Sequence, residues 1–163
     1  VYFPGSTIGN FDPKAARQFL RAARLRAGTG SGMLIGVDLK KDPQRLHAAY
    51  NDAKGVTAKF NLNLLARINR EANGDFDLSQ FAHYAFFNPV GRIEMHLMSL
   101  REQIAHVGEE SFAFREGETI FTESSYKYTS DEFSRLARDS GYRVQHVWTD
   151  PQMLFSVQYL VSD

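Results

Sequence analysis

The hydrophobic period of this chain changes in the middle of its length and changes back near its end. In the first part, apolar residues recur at helical spacing: Ala15, Ala16, Phe19, Leu20, Ala22 and Ala23 share one face of a run from Lys14 to Arg26. From Phe81 the period becomes two, over residues 83–87, 92–100, 103–107, 112–115 and 119–127. That predicts a run of antiparallel strands joined by turns such as Asn88-Pro89 and Glu116-Gly117. A helix returns from Ser130-Asp-Glu-Phe133 to Asp139, and Gly141 ends it. The chain therefore reads as α/β elements at both ends enclosing a strand-rich insertion.

The boundaries follow from local chemistry. Val1–Phe3 reads as a strand ended by the Pro4-Gly5 breaker. Asp12 before Pro13 is an N-cap followed by proline at the first helical position. Met33–Val37 is a continuous apolar run, which predicts a central parallel strand covered on both faces. Asp42-Pro43 opens a short helix through Tyr50. Gly55 precedes a longer one from Val56 to Arg70, with Phe60, Leu64, Leu65 and Ile68 on one side. Two final strands, Tyr142–Trp148 and Leu154–Val161, turn at Thr149-Asp-Pro-Gln152. Residues 1–41 and 129–163 are thus expected to form one α/β body, and 42–128 an inserted α+β domain. Because Val1–Phe3 reads as the end of a buried strand, the chain is also expected to be a fragment that lacks its N-terminal part.

Composition excludes several function classes. Lys+Arg and Asp+Glu are both 19, so there is no basic field to hold a phosphate backbone or a membrane surface. No cysteine is present, which rules out disulfides and thiolate metal sites and fits a reducing cytoplasm. No apolar run reaches the roughly 18 residues of a membrane helix. The five histidines are His47, His83, His96, His106 and His146, and none has the spacing that puts two ligands on one helical face, so no metal is expected. Gly28-Thr-Gly-Ser-Gly32 resembles a dinucleotide loop, but it follows a helix and opens a strand, and so reads as a turn. Pro4-Gly-Ser-Thr-Ile-Gly9 misses the hydrolase elbow because Gly9 falls one position late.

Several segments together are more specific. Phe3-Pro-Gly-Ser-Thr-Ile-Gly-Asn10, Gly36-Val-Asp-Leu-Lys-Lys-Asp42, Ala49-Tyr-Asn-Asp-Ala53, Gly55-Val-Thr-Ala-Lys-Phe-Asn61 and Asn69-Arg-Glu71 occur in order. Arg92-Ile-Glu-Met95, Thr122-Glu-Ser-Ser125 and Trp148-Thr-Asp-Pro151 follow. Over essentially its whole length the chain closely resembles the histidine-specific N-α-methyltransferases of ergothioneine biosynthesis. The resemblance implies the C-terminal part of a class I, Rossmann-like methyltransferase sheet carrying an inserted substrate-binding domain. It implies S-adenosylmethionine as methyl donor, held mainly by residues outside this chain. Asn10 and Tyr50 match the pair that holds the substrate's amino end, and Gly5 and Thr57 line the same amino-acid cavity. Glu123 and Ser125 match the pair that reads the imidazole, with Met95 packed against the ring.

These residue types suit the chemistry. An ammonium has no lone pair to attack a methyl group, so the acceptor must be a neutral amine that is held and aimed. Asn10 offers a carbonyl acceptor and Tyr50 a hydroxyl. Glu123 and Ser125 are two apart on an expected strand, so both side chains project from one face, and a carboxylate and a hydroxyl can serve both ring nitrogens. By spacing alone, Glu123 would be a solvated strand charge, Met95 simple core, Tyr50 a packing residue and Asn10 a turn residue. The resemblance is what raises them above those readings. Two others stand beside it: an N-methyltransferase acting on a tryptophan derivative, and a non-catalytic module that binds an amino acid. The fragment alone is expected to be inactive and to self-associate through its uncovered first strand.

Overall fold

Asp12 and Pro13 set the start of helix α1 (Pro13–Ala27). The Asp12 carboxylate accepts from the Ala15 N–H at 2.8 Å, and the proline ring occupies a position whose N–H would have no partner in the helix. Ala16 and Leu20, one turn apart, form the buried stripe. The computed structural model describes residues 1–163, which divide into two units: Val1–Asp42 with Pro89–Ile93 and Ser124–Asp163, and Pro43–Asn88 with Glu94–Glu123.

In the first unit, α1 links two parallel strands, β1 (Tyr2–Phe3) and β2 (Gly32–Asp38), which pair Tyr2 with Leu34 and Phe3 with Ile35. The chain then returns to this unit for helix α4 (Ser130–Asp139) and the last two strands. Numbered in chain order, these are β8 (Tyr142–Thr149) and β9 (Phe155–Ser162). The sheet order is β1-β2-β9-β8, with β9 antiparallel to both of its neighbours. Strand β2 is therefore central, as its apolar run predicts, but only β1 runs parallel to it. Nor is it covered equally on its two faces. Met33, Ile35 and Val37 are fully buried beside Ala16, Leu20, Phe133 and Leu136, whereas Leu34 on the opposite face is only half-buried. The helix α4 runs from Ser130 to Asp139, as its sequence suggests, and Thr129 is its N-cap, in a reciprocal box with Glu132. The run Gly28–Gly32 is the turn expected of it, with the Gly30 N–H donating to the Ser162 carbonyl.

The second unit holds helices α2 (Pro43–Tyr50) and α3 (Val56–Glu71) and the strands β3 (Phe81–Asn88), β4 (Arg92–Ser99), β5 (Gln103–Val107), β6 (Glu110–Phe114) and β7 (Thr119–Tyr126). The ends of β4 and β7 run on into the first unit. The expected single run of antiparallel strands resolves into two sheets: β3-β4-β7, and a separate β5-β6 hairpin. The core gathers Leu65, Phe76, Phe81, Leu97 and Ala105, with the Phe81 and Phe114 rings edge to face at 5.5 Å. The apolar face predicted for α3 is shifted. Phe60 is 66% exposed and Leu64 39%, while Asn61 and Leu65 are buried. Asn61 is tolerated inside because its amide nitrogen has two partners, described below. None of the helices is long and apolar enough to cross a membrane.

Candidate active site

The first unit's share of the site begins where the chain leaves β1. Gly5 and Ser6 both have positive φ, +75° and +62°, so the backbone turns back sharply before a 3₁₀ turn over Thr7–Asn10. The glycine adopts this conformation without the strain a side chain would bring. The turn is pinned to the end of β2, where the Asp38 N–H donates to the Ser6 hydroxyl at 3.0 Å. Ile8 anchors the segment in the core. Gly9 lies so close to β7 that a Cβ there would sit 2.7 Å from the Tyr126 carbonyl oxygen and 3.5 Å from Ser125 Oγ. This close approach brings the Gly5–Asn10 segment onto Ser125. Asn10 itself is exposed, while Ser125 is buried.

Behind Ser125 is a charged group. Lys127 Nζ donates to Ser125 Oγ at 2.7 Å and pairs with Asp38 Oδ2 at 2.8 Å, with only 1% of the lysine side chain exposed. The other oxygen of Asp38 takes Lys41 Nζ. The group lies at the C-terminal end of β2, and the carboxyl ends of parallel strands are where open α/β sheets gather ligands.

The second unit carries Tyr50, Thr57, Met95 and Glu123. Tyr50 is the last residue of α2, and its carbonyl accepts from His83 Nε2 at 2.8 Å. The amide nitrogen of Asn61 meets His83 Nδ1 at 3.0 Å. An amide nitrogen can only donate, so Nδ1 is the acceptor and the ring is the neutral Nε2–H tautomer. The same amide also donates to the His96 carbonyl at 2.9 Å. His83 thus ties the end of α2 to β3. Replacing His83 with phenylalanine removes a donor from Tyr50 and an acceptor from Asn61, and should cost about 1–3 kcal/mol in denaturant unfolding. An unchanged midpoint would show that these two bonds do not hold the end of α2.

Thr57 stands in the first turn of α3, which Asp52 caps. The Asp52 carboxylate accepts from the Thr57 N–H at 2.8 Å and the Val56 N–H at 2.9 Å. Those backbone bonds, Thr57 first, lower the Asp52 carboxyl from its ordinary 3.8 to about 2. A folded pKa below the unfolded one stabilises fully above the ordinary value, and the contribution disappears as pH falls through about 2. Following the Asp52 carboxyl by NMR should give a midpoint near that lower value; a midpoint at the ordinary one would remove the cap. Met95 is buried on β4, its carbonyl accepting from Thr122 Oγ1 at 2.9 Å. Glu123 is half-buried on β7, and strand alternation gives it the same face as Ser125.

The structure therefore groups Gly5 and Asn10 with Ser125 in one unit, and Tyr50 and Thr57 with Met95 and Glu123 in the other. Sequence reasoning missed Asp38, Lys127, Asp52, Asn61 and His83. Lys127 alone left a usable signal, since it continues the alternation of Glu123 and Ser125.

Residues 1–162 match the sequence pattern of a family described as histidine-specific, S-adenosylmethionine-dependent methyltransferases. The Histidine N-alpha-methyltransferase of Mycolicibacterium smegmatis is 41% identical over 164 residues, covering 99% of this chain and 51% of that protein. The protein of the same name from Mycobacterium tuberculosis is 42% identical over 151 residues, covering 91% of this chain and 47% of its own. The chain spans about half the length of these curated relatives. Among solved structures, the CcbJ methyltransferase of Streptomyces caelestis superposes with a TM-score of 0.52 at 10% identity, over 100% of this chain and 60% of that one. That likeness shows the fold alone, the α/β architecture of the methyltransferases. Matched along nearly its full length, the chain belongs to the family of histidine-specific, S-adenosylmethionine-dependent methyltransferases.

Proposed function

We propose that the whole protein methylates the α-amino nitrogen of histidine to the trimethylated product, and that this chain supplies the residues that recognise the amino acid. The observation that supports this reading best is Ser125, buried beside the Gly5–Asn10 segment, with Glu123 two residues before it on the same face of β7. The carboxylate of Glu123 accepts from one ring N–H, and the Ser125 hydroxyl serves the other nitrogen. Asn10 accepts from the substrate amine through its side-chain carbonyl, and Tyr50 offers its hydroxyl. Holding and aiming the amine in this way can remove roughly 7–11 kcal/mol of a bimolecular barrier. Transfer discharges a sulfonium, so no strong base is assigned.

The methyl donor supplies an electrophilic methyl group. The glycine cluster Gly28–Gly32 is not a phosphate-binding loop for it, because it turns from a helix into a strand and its Gly30 N–H is taken by Ser162. The donor's binding residues are therefore not assigned to this chain, nor is any metal or nucleic-acid partner.

Incubating the whole protein with S-adenosylmethionine and each amino acid in turn should yield trimethylated histidine and no product from phenylalanine. Asn10→Ala should lower kcat/KM for histidine by roughly 10²-fold, as loss of aim predicts. Equal turnover of a tryptophan derivative, or none of histidine, would overturn the reading.

A further inference from the structure

We infer that Lys127 is a positioning residue which sets the hydrogen-bond polarity of Ser125, so that histidine binds with a neutral ring in one tautomer. The inference rests on the reading of Glu123 and Ser125 as the partners of the imidazole. An ammonium has three donors and no acceptor. Lys127 spends one on Asp38 Oδ2 at 2.8 Å and one on Ser125 Oγ at 2.7 Å. A serine hydroxyl has one proton and two lone pairs. With one lone pair taken by the ammonium, the proton must point away from Lys127.

Ser125 is buried, so an unspent hydroxyl proton would be costly. It is best spent on an unprotonated ring nitrogen. Glu123, ionised, can only accept, and takes the ring N–H on the other side. The hydroxyl polarity carries this preference: Asp38 lies against both Lys127 and Lys41 and offsets the lysine field, while the Glu123 carboxylate by itself would favour an imidazolium. Asp38 also holds the Ser6 hydroxyl through its backbone N–H, so the group that orients Ser125 also anchors the turn leading to Asn10.

The test is the ring-nitrogen spectrum of ¹⁵N-labelled histidine bound to the whole protein. The native complex at neutral pH should show one protonated and one unprotonated nitrogen, without averaging. Lys127→Met should lose that pattern, with the unprotonated signal moving toward the averaged or imidazolium position, and KM for histidine should rise about tenfold with a smaller change in kcat. Lys127→Gln, whose amide still donates, should restore most of both. Should Lys127→Met fail to fold because Asp38 loses a buried partner, the double variant D38N/K127M removes both charges and reads the same signal. Averaged nitrogens in the native complex, or an unchanged pattern in Lys127→Met or the double variant, would overturn the inference. Failure of the native protein to bind histidine at all would instead sink the assignment of the substrate.

Discussion

Glu123→Ala should abolish most of the preference for histidine over phenylalanine. The carboxylate is half-buried on β7, and in the proposed function it is the acceptor for the ring N–H. Without it, a buried N–H is left without a partner, which costs about 1–3 kcal/mol, and more where the lost acceptor is charged. The kcat/KM for histidine should fall by roughly 10²-fold. Phenylalanine has no ring nitrogen to satisfy, so it should lose nothing and could gain from the removal of a charge beside an apolar ring. The ratio of the two specificity constants is the measurement. If it stays at the native value, Glu123 is a solvated strand charge, as its spacing alone would suggest. In the proposed function Met95 packs against the same ring. It is buried and its thioether adapts to a flat ring, so Met95→Ala should weaken both amino acids alike and leave their ratio near native.

Gly9→Ala should be the most damaging single methyl group in the first unit. Its Cβ would meet the Tyr126 carbonyl oxygen at 2.7 Å and the Tyr126 nitrogen at 3.4 Å. Both are backbone atoms of a paired strand, so no rotamer change relieves the contact, and the 3₁₀ turn or β7 must shift. Overpacking of this kind costs about 1–3 kcal/mol, or roughly 2–10 °C in melting temperature for a chain of this size. The functional loss should exceed the stability loss. The displaced segment ends at Asn10 and rests on Ser125, and misplacement by about 1 Å can cost 10²-fold in rate. Melting and turnover should therefore be measured on the same preparation. Native values for both would mean that the Gly9 approach to β7 is not required.

Much of the local structure is legible without coordinates. Asp12-Pro13 predicts the start of α1, and Gly28–Gly32 is read correctly as a turn because the elements on either side of it are recognisable. The alternating runs mark β3 to β7 within a few residues of where they lie. What alternation cannot tell is which strand lies beside which. That β9 separates β2 from β8, and that β5 and β6 leave the three-stranded sheet to pair with each other, depends on contacts between segments far apart in the chain. The apolar face of α3 fails for a related reason. Phe60 and Leu64 look like core by type, yet the helix turns Asn61 inward to hold His83 and His96, a purpose invisible until β3 and β4 are in place.

The candidate site divides along the same line. Gly5, Asn10, Tyr50, Thr57, Met95, Glu123 and Ser125 were named as candidates by the family resemblance of the short segments that carry them, and not by spacing. The groups that orient them were not legible, because each pairs with a partner from another element: Asp38 with Lys127, Asn61 with His83, and Gly9 with the Tyr126 backbone. By itself, the sequence determined where most helices and strands begin, because that depends on neighbours within a turn or two. Only the tertiary structure decided how the hydroxyl and the backbone at the site are held. Burying a lysine or an asparagine is tolerable only where distant segments bring it a partner.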